Sequence, residues 1–399
     1  MINPSAHGWI DKFFTEQKGL LKKDPVSPDT FYKKVRETGF IFGHVVSFDV
    51  KTPIETKGRL RDEVSKIALL NTLYGMFCLI SDDKKPAAFI PKAVSFYNEM
   101  NPQGHSIFRK VFPNESLSQN LEQIIDQRVR TNHDIVSKNF SHIVTNALLF
   151  IDVLAFQQYL QHGVIPEKYL KKIEETIISI ITLALKTKSI KSQHDDLLIR
   201  LFEASVRYSK FSKVSVQNPE ALKLDYFTND LEKYYFIDLA GMTLWSDGMV
   251  EKDEAYFLYK LGELMNVGDD FVTEGMVFTN QFITEHKKEI PYFNYSNPVK
   301  NFYDNITQSV IVLITRNKNR LVKEISQSRE LMVLLAQSTH RDLDAKEKKK
   351  VKTQILDICK TIPSLTIFLL PGGGLLLPIL IKFIPKMLPS AFNENNESE

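Results

Sequence analysis

Glycine is scarce in this chain: 16 of 399 residues, about 4% against a usual share of about 7%. No glycine or proline falls between Pro113 and Gly163, between Pro166 and Pro219, or between Pro298 and Pro363. Sheet proteins need turn residues every ~8–12 positions, so gaps of 49, 52 and 64 residues exclude a sheet-rich fold. There are only two cysteines, Cys78 and Cys359, far apart and in apolar settings. Neither a disulfide framework nor a thiolate metal site is expected, which fits a reducing compartment. The N-terminus shows no basic stretch leading into an apolar run and no Arg/Ser-rich transit pattern, so no targeting peptide is expected. The motifs G-x-x-x-x-G-K-[ST], H-E-x-x-H, G-x-S-x-G and G-x-G-x-x-G are all missing, and with them the nucleotide, zinc-protease and hydrolase chemistries they carry. The nine histidines are scattered, and the one local cluster, His194-Asp195-Asp196, sits at an expected helix start where acids suit the dipole. No catalytic residue is assigned, and the chain is not expected to be an enzyme.

What is present is apolar and helical. The chain is 43% hydrophobic and 25% charged, with a net charge of +3, enough for two or three domains with real cores. The expected fold class is all-α, a multi-helix bundle or array. Residues 1–215 read as an N-terminal helical domain. Val64, Ile67, Leu70, Leu73 and Phe77 form an i, i+3, i+4 stripe that defines one buried face. Similar stripes run over 134–159 (Ile143, Ala147, Phe150, Val153, Leu154), 169–186 (Ile173, Ile177, Ile180, Leu183) and 195–207 (Leu198, Leu201, Phe202). These stripes are bundle core rather than cofactor boxes. The aperiodic stretch 211–223, containing Pro219, is the expected boundary.

A second domain spans 225–291. Tyr235, Leu239 and Met242 mark its first helix, Asp247-Gly248 a tight turn, and Ala255, Leu258, Leu261 and Met265 a second helix. Asp269 and Asp270 open a third, running through Phe278 and Phe282. The run from Ala240 through Ser246-Asp247-Gly248 to Glu254 resembles the signature of tellurite-resistance B-like (TerB-like) helical domains: an apolar helix, an Ala/Ser-Asp-Gly turn, a Val and an acidic helix start ending in Glu. That resemblance, over about 60 residues, implies stress-linked, membrane-associated complexes and a weak divalent-cation site at Asp247 and Glu254. An EF-hand is excluded. With Gly248 at position 6 of the 12-residue loop, positions 1 and 3 fall on Thr243 and Trp245, which supply no carboxylate. The same residues are also explained structurally, since Asp-Gly supplies a φ > 0 turn and Glu251, Asp253 and Glu254 suit a helix N-terminus. No other cofactor is expected.

Residues 298–360 are expected to form one or two long helices and are strongly basic. From Arg316 to Lys360 there are 12 basic and 6 acidic residues, a net +6, so the rest of the chain sums to −3. A hydrophobic membrane segment, 361–392, and an acidic tail, 393–399, follow. Thr361–Ile381 carries no charge over 21 residues, a length that matches the ~30 Å hydrocarbon core. Its twelve Leu, Ile and Phe residues favour insertion by about 5 kcal/mol before proline and glycine are counted against it. The expected element is a Pro/Gly-broken helix of transmembrane type. Pro363 opens it, Pro371, Pro378 and Pro385 recur every seven residues, Gly372, Gly373 and Gly374 add a flexible point, and Pro389 lies near its end. Such breaks persist in lipid only where neighbouring protein re-satisfies the freed carbonyls. Packing against a partner protein or a second copy is therefore expected. Lys346, Lys348, Lys349, Lys350 and Lys352 precede the segment, and Lys382 and Lys386 lie near its far end. The balance puts the bulk of the chain in the cytoplasm. The first five are placed to meet anionic lipid phosphate, so nucleic acid is not an expected partner.

The run Ile362-Pro363-Ser364, Phe368-Leu369-Leu370-Pro371, Leu375-Leu376-Leu377-Pro378 and Lys382-Phe383-Ile384-Pro385-Lys386-Met387-Leu388-Pro389-Ser390-Ala391-Phe392 resembles the membrane segment of the LETM family (leucine zipper, EF-hand, transmembrane proteins). In that family the segment leads into a ribosome-binding-like domain, and members of mitochondrial inner membranes are linked to cation/proton exchange. The layout of the whole chain is similar to bacterial LETM-related proteins, some carrying a biofilm-associated label. The resemblance implies a scaffold or stress- and envelope-linked protein at a bacterial inner membrane. Cation/proton transport by oligomerised C-terminal helices, ribosome binding, and a soluble protein with a buried C-terminal hairpin are the alternatives. Transport ranks below attachment, because Thr361–Ile381 has none of the intramembrane ionisable residues that mark ion paths.

Overall fold

The computed structural model describes residues 2–16, 27–48, 58–100, 116–137, 148–188, 218–245, 252–286, 288–289, 314–338, 341, 343–362, 365, 381 and 384. Among them every regular element is helical and no strand occurs. The elements are α1 (Trp9–Glu16), α2 (Pro28–Glu37), a 3₁₀ turn (Phe40–Phe42), α3 (Arg61–Ile80), α4 (Pro86–Met100) and α5 (Leu117–Ser137). There follow α6 (Phe150–His162), α7 (Tyr169–Thr187), a second 3₁₀ turn (Pro219–Ala221), α8 (Asp230–Leu244), α9 (Lys252–Leu264) and α10 (Asp269–His286). The last three are α11 (Lys318–Ser326), α12 (Arg329–Gln337) and α13 (Ala345–Thr361).

Local chemistry sets these boundaries. Ser27 caps α2 by accepting from the Thr30 amide at 3.1 Å, with Pro28 in the first turn. The N-terminus of α1 is capped from a distance. Glu122 on α5 accepts from the Gly8 and Ile10 amides at 3.0 and 2.9 Å, placing a carboxylate on the positive end of the helix. Asp344 and Glu347 form a reciprocal capping box at the start of α13.

α3 is the centre of the fold. It packs against α6, α5, α2 and α4, and Ile67, Leu69, Leu70 and Leu73 are wholly buried. Its burial therefore runs round most of the helix and is not confined to one face as the stripe predicts. Thr72 and Ser65 are buried too, and Lys66 reaches an ion pair with Asp126. Among the described residues α3 is the one helix long and apolar enough to cross a membrane by length and composition. Its most apolar window is 72% buried inside the protein, which marks a core helix. α8 is the second hub, packed on α7, α10, α9 and α2. One buried cluster consequently runs from Ile2 to Ile283 and spans both sides of the stretch 211–223. A second, from Ile314 to Ile384, is built by α11, α12 and α13. The two meet where Leu60 packs on the second cluster and Arg316 donates to the buried Glu63.

Two helical expectations change. Within the stripe 134–159, α5 ends at Ser137 and α6 begins at Phe150 after a turn at Leu148-Leu149, while Ile143 and Ala147 lie outside the described residues. Within 298–360 the described part forms three helices instead of one or two long ones. Ser328 caps α12 through the Leu331 amide at 3.2 Å, and the Asp344 box starts α13. Side-chain caps end helices without glycine or proline. The expected helix at 195–207 lies outside the described residues.

Candidate functional site

α13 buries Val351, Ile355, Ile358 and Cys359 on one face and exposes Lys346, Lys349, Thr353 and Lys360 on the other. Lys348 and Lys352 are also exposed on its flank. Lys350 pairs with Glu330, Lys360 with Asp357, and Arg341 with Glu347. Lys346, Lys348, Lys349 and Lys352 make no ion pair with a described residue, so their charge is presented to solvent. A cleft of about 600 Å3 lies between Asn3, Ser5 and Ala6 and the segment 315–320, lined by Arg316, Lys318 and Arg320.

The hydrophobic segment follows α13 directly. Pro363, Pro371, Gly372, Gly373, Gly374, Pro378, Lys382, Pro385, Lys386 and Pro389 lie outside the described residues. Ile362, Leu365 and Ile384 are buried, and with the partly buried Ile381 they belong to the cluster built by α11–α13.

In the middle of the chain α8, α9 and α10 form the three helices expected around the Asp-Gly turn. Asp247 lies outside the described residues, and Glu254 is 97% buried within the first turn of α9. The strongest buried polar group here is Asp238 on α8. It accepts from the Tyr32 hydroxyl at 2.8 Å and lies 3.7 Å from the Arg36 guanidinium. Arg36 also pairs with Glu274 and lies over the Phe278 and Phe271 rings. Burial pushes the Asp238 carboxyl up to about 6, against the opposing pull of Arg36. The native state therefore holds a proton that the unfolded chain has released, and this contribution to stability is lost as pH rises from about 4 through about 6. Asp238→Asn removes the slope. Its stability relative to wild type should rise by about 2–3 kcal/mol between about pH 4 and about pH 7 in urea titrations. A pH-independent difference contradicts the burial of a titrating Asp238.

A second polar group, His44, His286 and Glu289, is invisible in the sequence order because its histidines lie 242 positions apart. Its local signal is Gly39 and Gly43, both left-handed, which bracket the 3₁₀ turn 40–42 and deliver His44 from the end of α2. The Gly39 carbonyl accepts from the His44 amide at 3.2 Å. α10 ends on His286, and Glu289 follows in a turn closed by its own amide on the His286 carbonyl at 2.8 Å. Phe282 lies against both imidazoles. Burial, then the charge of Arg61, pushes His44 down to about 4, so it is neutral near pH 7. Gly39 is the hinge of this arrangement. A Cβ there would lie 2.0 Å from the His44 carbonyl and 2.6 Å from the Phe282 ring, at a φ of +78°. Gly39→Ala should cost about 3 kcal/mol or more by thermal or urea unfolding. A loss near zero would mean that the turn is remodelled at no cost.

No curated protein and no solved structure matches the chain. Residues 343–399, which contain α13 and the apolar segment after it, match the family model described as LETM1-like, RBD.

Proposed function

We propose that this chain is a membrane-associated, non-enzymatic helical protein that presents its basic C-terminal unit to anionic lipid. One observation carries the reading: the family match begins at Leu343 and takes in the exposed lysines of α13 together with the apolar stretch they precede. A positive helix beside an uncharged apolar segment suits an anionic bilayer surface, each lysine contributing about 1 kcal/mol near it. Leu365 and Ile384 flank the Pro/Gly-rich middle and share one buried cluster. The same reading places the bulk of the chain on the cytoplasmic side of a bacterial inner membrane, with residues 225–291 as a TerB-like module of a stress- or envelope-linked scaffold. In fractionated cells the full chain should sediment with membranes and stay in the pellet after alkaline carbonate washing. Complete recovery in the soluble fraction ends this reading.

Ribosome binding is the second reading, favoured by the RBD in the description of the matched family. It would set the same lysines on RNA phosphate, with a steep salt dependence. Co-sedimentation with purified ribosomes at rising salt tests it, and no pelleting at low salt removes it.

A further inference from the structure

We propose that His44, His286 and Glu289 form a binding site for one divalent transition-metal ion of the zinc class, with three protein ligands and an open fourth position. The three ligand atoms all lie within 4.8 Å of one another. Glu289 Oε2 is 3.5 Å from His44 Nε2 and 3.6 Å from His286 Nδ1. Those separations are too long for hydrogen bonds, which close to about 2.7–3.2 Å. They are the separations that two ligands adopt on a shared tetrahedral ion. Ligand atoms each about 2.1 Å from the metal stand about 3.4 Å apart at the tetrahedral angle.

The ring nitrogens support the same assignment. His44 Nε2 and His286 Nδ1 are shielded from solvent and have no hydrogen-bond partner among the described residues. A buried imidazole nitrogen without a hydrogen bond loses its hydration with little return, and both of these face one carboxylate oxygen, Glu289 Oε2. The set is chemically consistent, since two imidazoles and a carboxylate suit zinc and its neighbours, whereas magnesium and calcium prefer all-oxygen shells. The surroundings hold the ligands in place. The Gly39–Gly43 turn fixes His44, Phe282 packs on both rings, and Arg61 donates to the Glu289 main-chain carbonyl at 3.2 Å, setting the turn that carries the carboxylate. The Arg61 charge opposes a cation and lowers the affinity relative to the same set without it. Glu289 is well exposed, which leaves an entry path for the ion.

Such an ion would tie the loop after α2 to the end of α10. It does not depend on the membrane reading, since all three ligands lie in or beside the first cluster.

The test is titration of Zn2+ into the metal-stripped full chain by calorimetry, with Co2+ absorption as a second readout. The expected results are one ion per chain in the micromolar range or tighter, a rise in thermal midpoint at excess Zn2+, and the visible bands of a four-coordinate Co2+ site. Glu289→Gln and His286→Asn should each weaken binding at least tenfold. Glu289 is exposed, so its variant keeps the test valid if the histidine variant folds poorly. Glu285→Gln, one residue from His286 but outside the cluster, should bind like wild type. Failure of the wild type to bind Zn2+ at millimolar concentration overturns the proposal. So does an affinity unchanged by Glu289→Gln, which would place any bound ion elsewhere.

Discussion

Replacing Asp152 with alanine should lower folding stability by about 3–5 kcal/mol, the cost of leaving a buried charge without its partner. Asp152 on α6 is fully buried and accepts from Arg128 on α5 in a two-pronged contact, with Nε to Oδ2 at 2.8 Å and Nη2 to Oδ1. The Tyr97 hydroxyl on α4 donates to the same carboxylate at 3.2 Å, and the Arg128 guanidinium lies 5.9 Å from the Tyr97 ring centre. Three helices are thus joined through one acid. Alanine would remove this two-pronged contact from Arg128, itself 8% exposed. Asp152→Asn keeps the shape and loses the charge, so a smaller loss is expected. Urea unfolding followed by far-UV circular dichroism reads the difference, with an unchanged slope showing that two-state behaviour persists. A loss below about 1 kcal/mol for the alanine variant would show that the pair is not a structural tie.

Reversing Lys346, Lys348, Lys349 and Lys352 to glutamate should weaken binding to anionic vesicles by about a thousandfold. Each lysine near such a surface contributes about 1 kcal/mol, and about 1.4 kcal/mol is a factor of ten in affinity, so four lost attractions supply that factor before repulsion is counted. All four are exposed on α13, where single surface substitutions shift stability by only about 0.5 kcal/mol. Positions 346 and 348 lie in the first turn, where acids suit the helix dipole, and 349 and 352 are exposed, so far-UV circular dichroism should be close to wild type. Wild-type binding should weaken as salt rises, because the Debye length shortens to about 3 Å at about 1 M. Equal binding by the two proteins would leave the lysines without a role at lipid.

The glycine and proline gaps made the helical class legible, because a sheet-rich fold needs such turn residues far more often. The same gaps overstated helix length. Ser328 and Asp344 start new helices by side-chain capping, and the S/T/D-x-x-E pattern of Asp344 and Glu347 was readable in the sequence. Periodicity placed α7, α8, α9 and α10 well. It underestimated α3, where a helix surrounded by α2, α4, α5 and α6 has no solvent face left to mark. The lysine cluster was legible as a run, whereas its solvent face is set in the structure by the burial of Val351, Ile355 and Ile358 on the other side of α13. His44, His286 and Glu289 were not legible. Their meeting depends on the packing of α10 against the turn after α2, through Phe42, Phe278 and Phe282, and no local pattern encodes that.

The central claim is that the basic unit ending this chain meets anionic lipid. Flotation of the full chain with vesicles of phosphatidylcholine alone, or mixed with phosphatidylglycerol, at about 0.1 M salt tests it most directly. The protein should rise with the anionic vesicles, and the four-lysine variant should lose most of that signal. Protein that stays at the bottom of both gradients contradicts the claim.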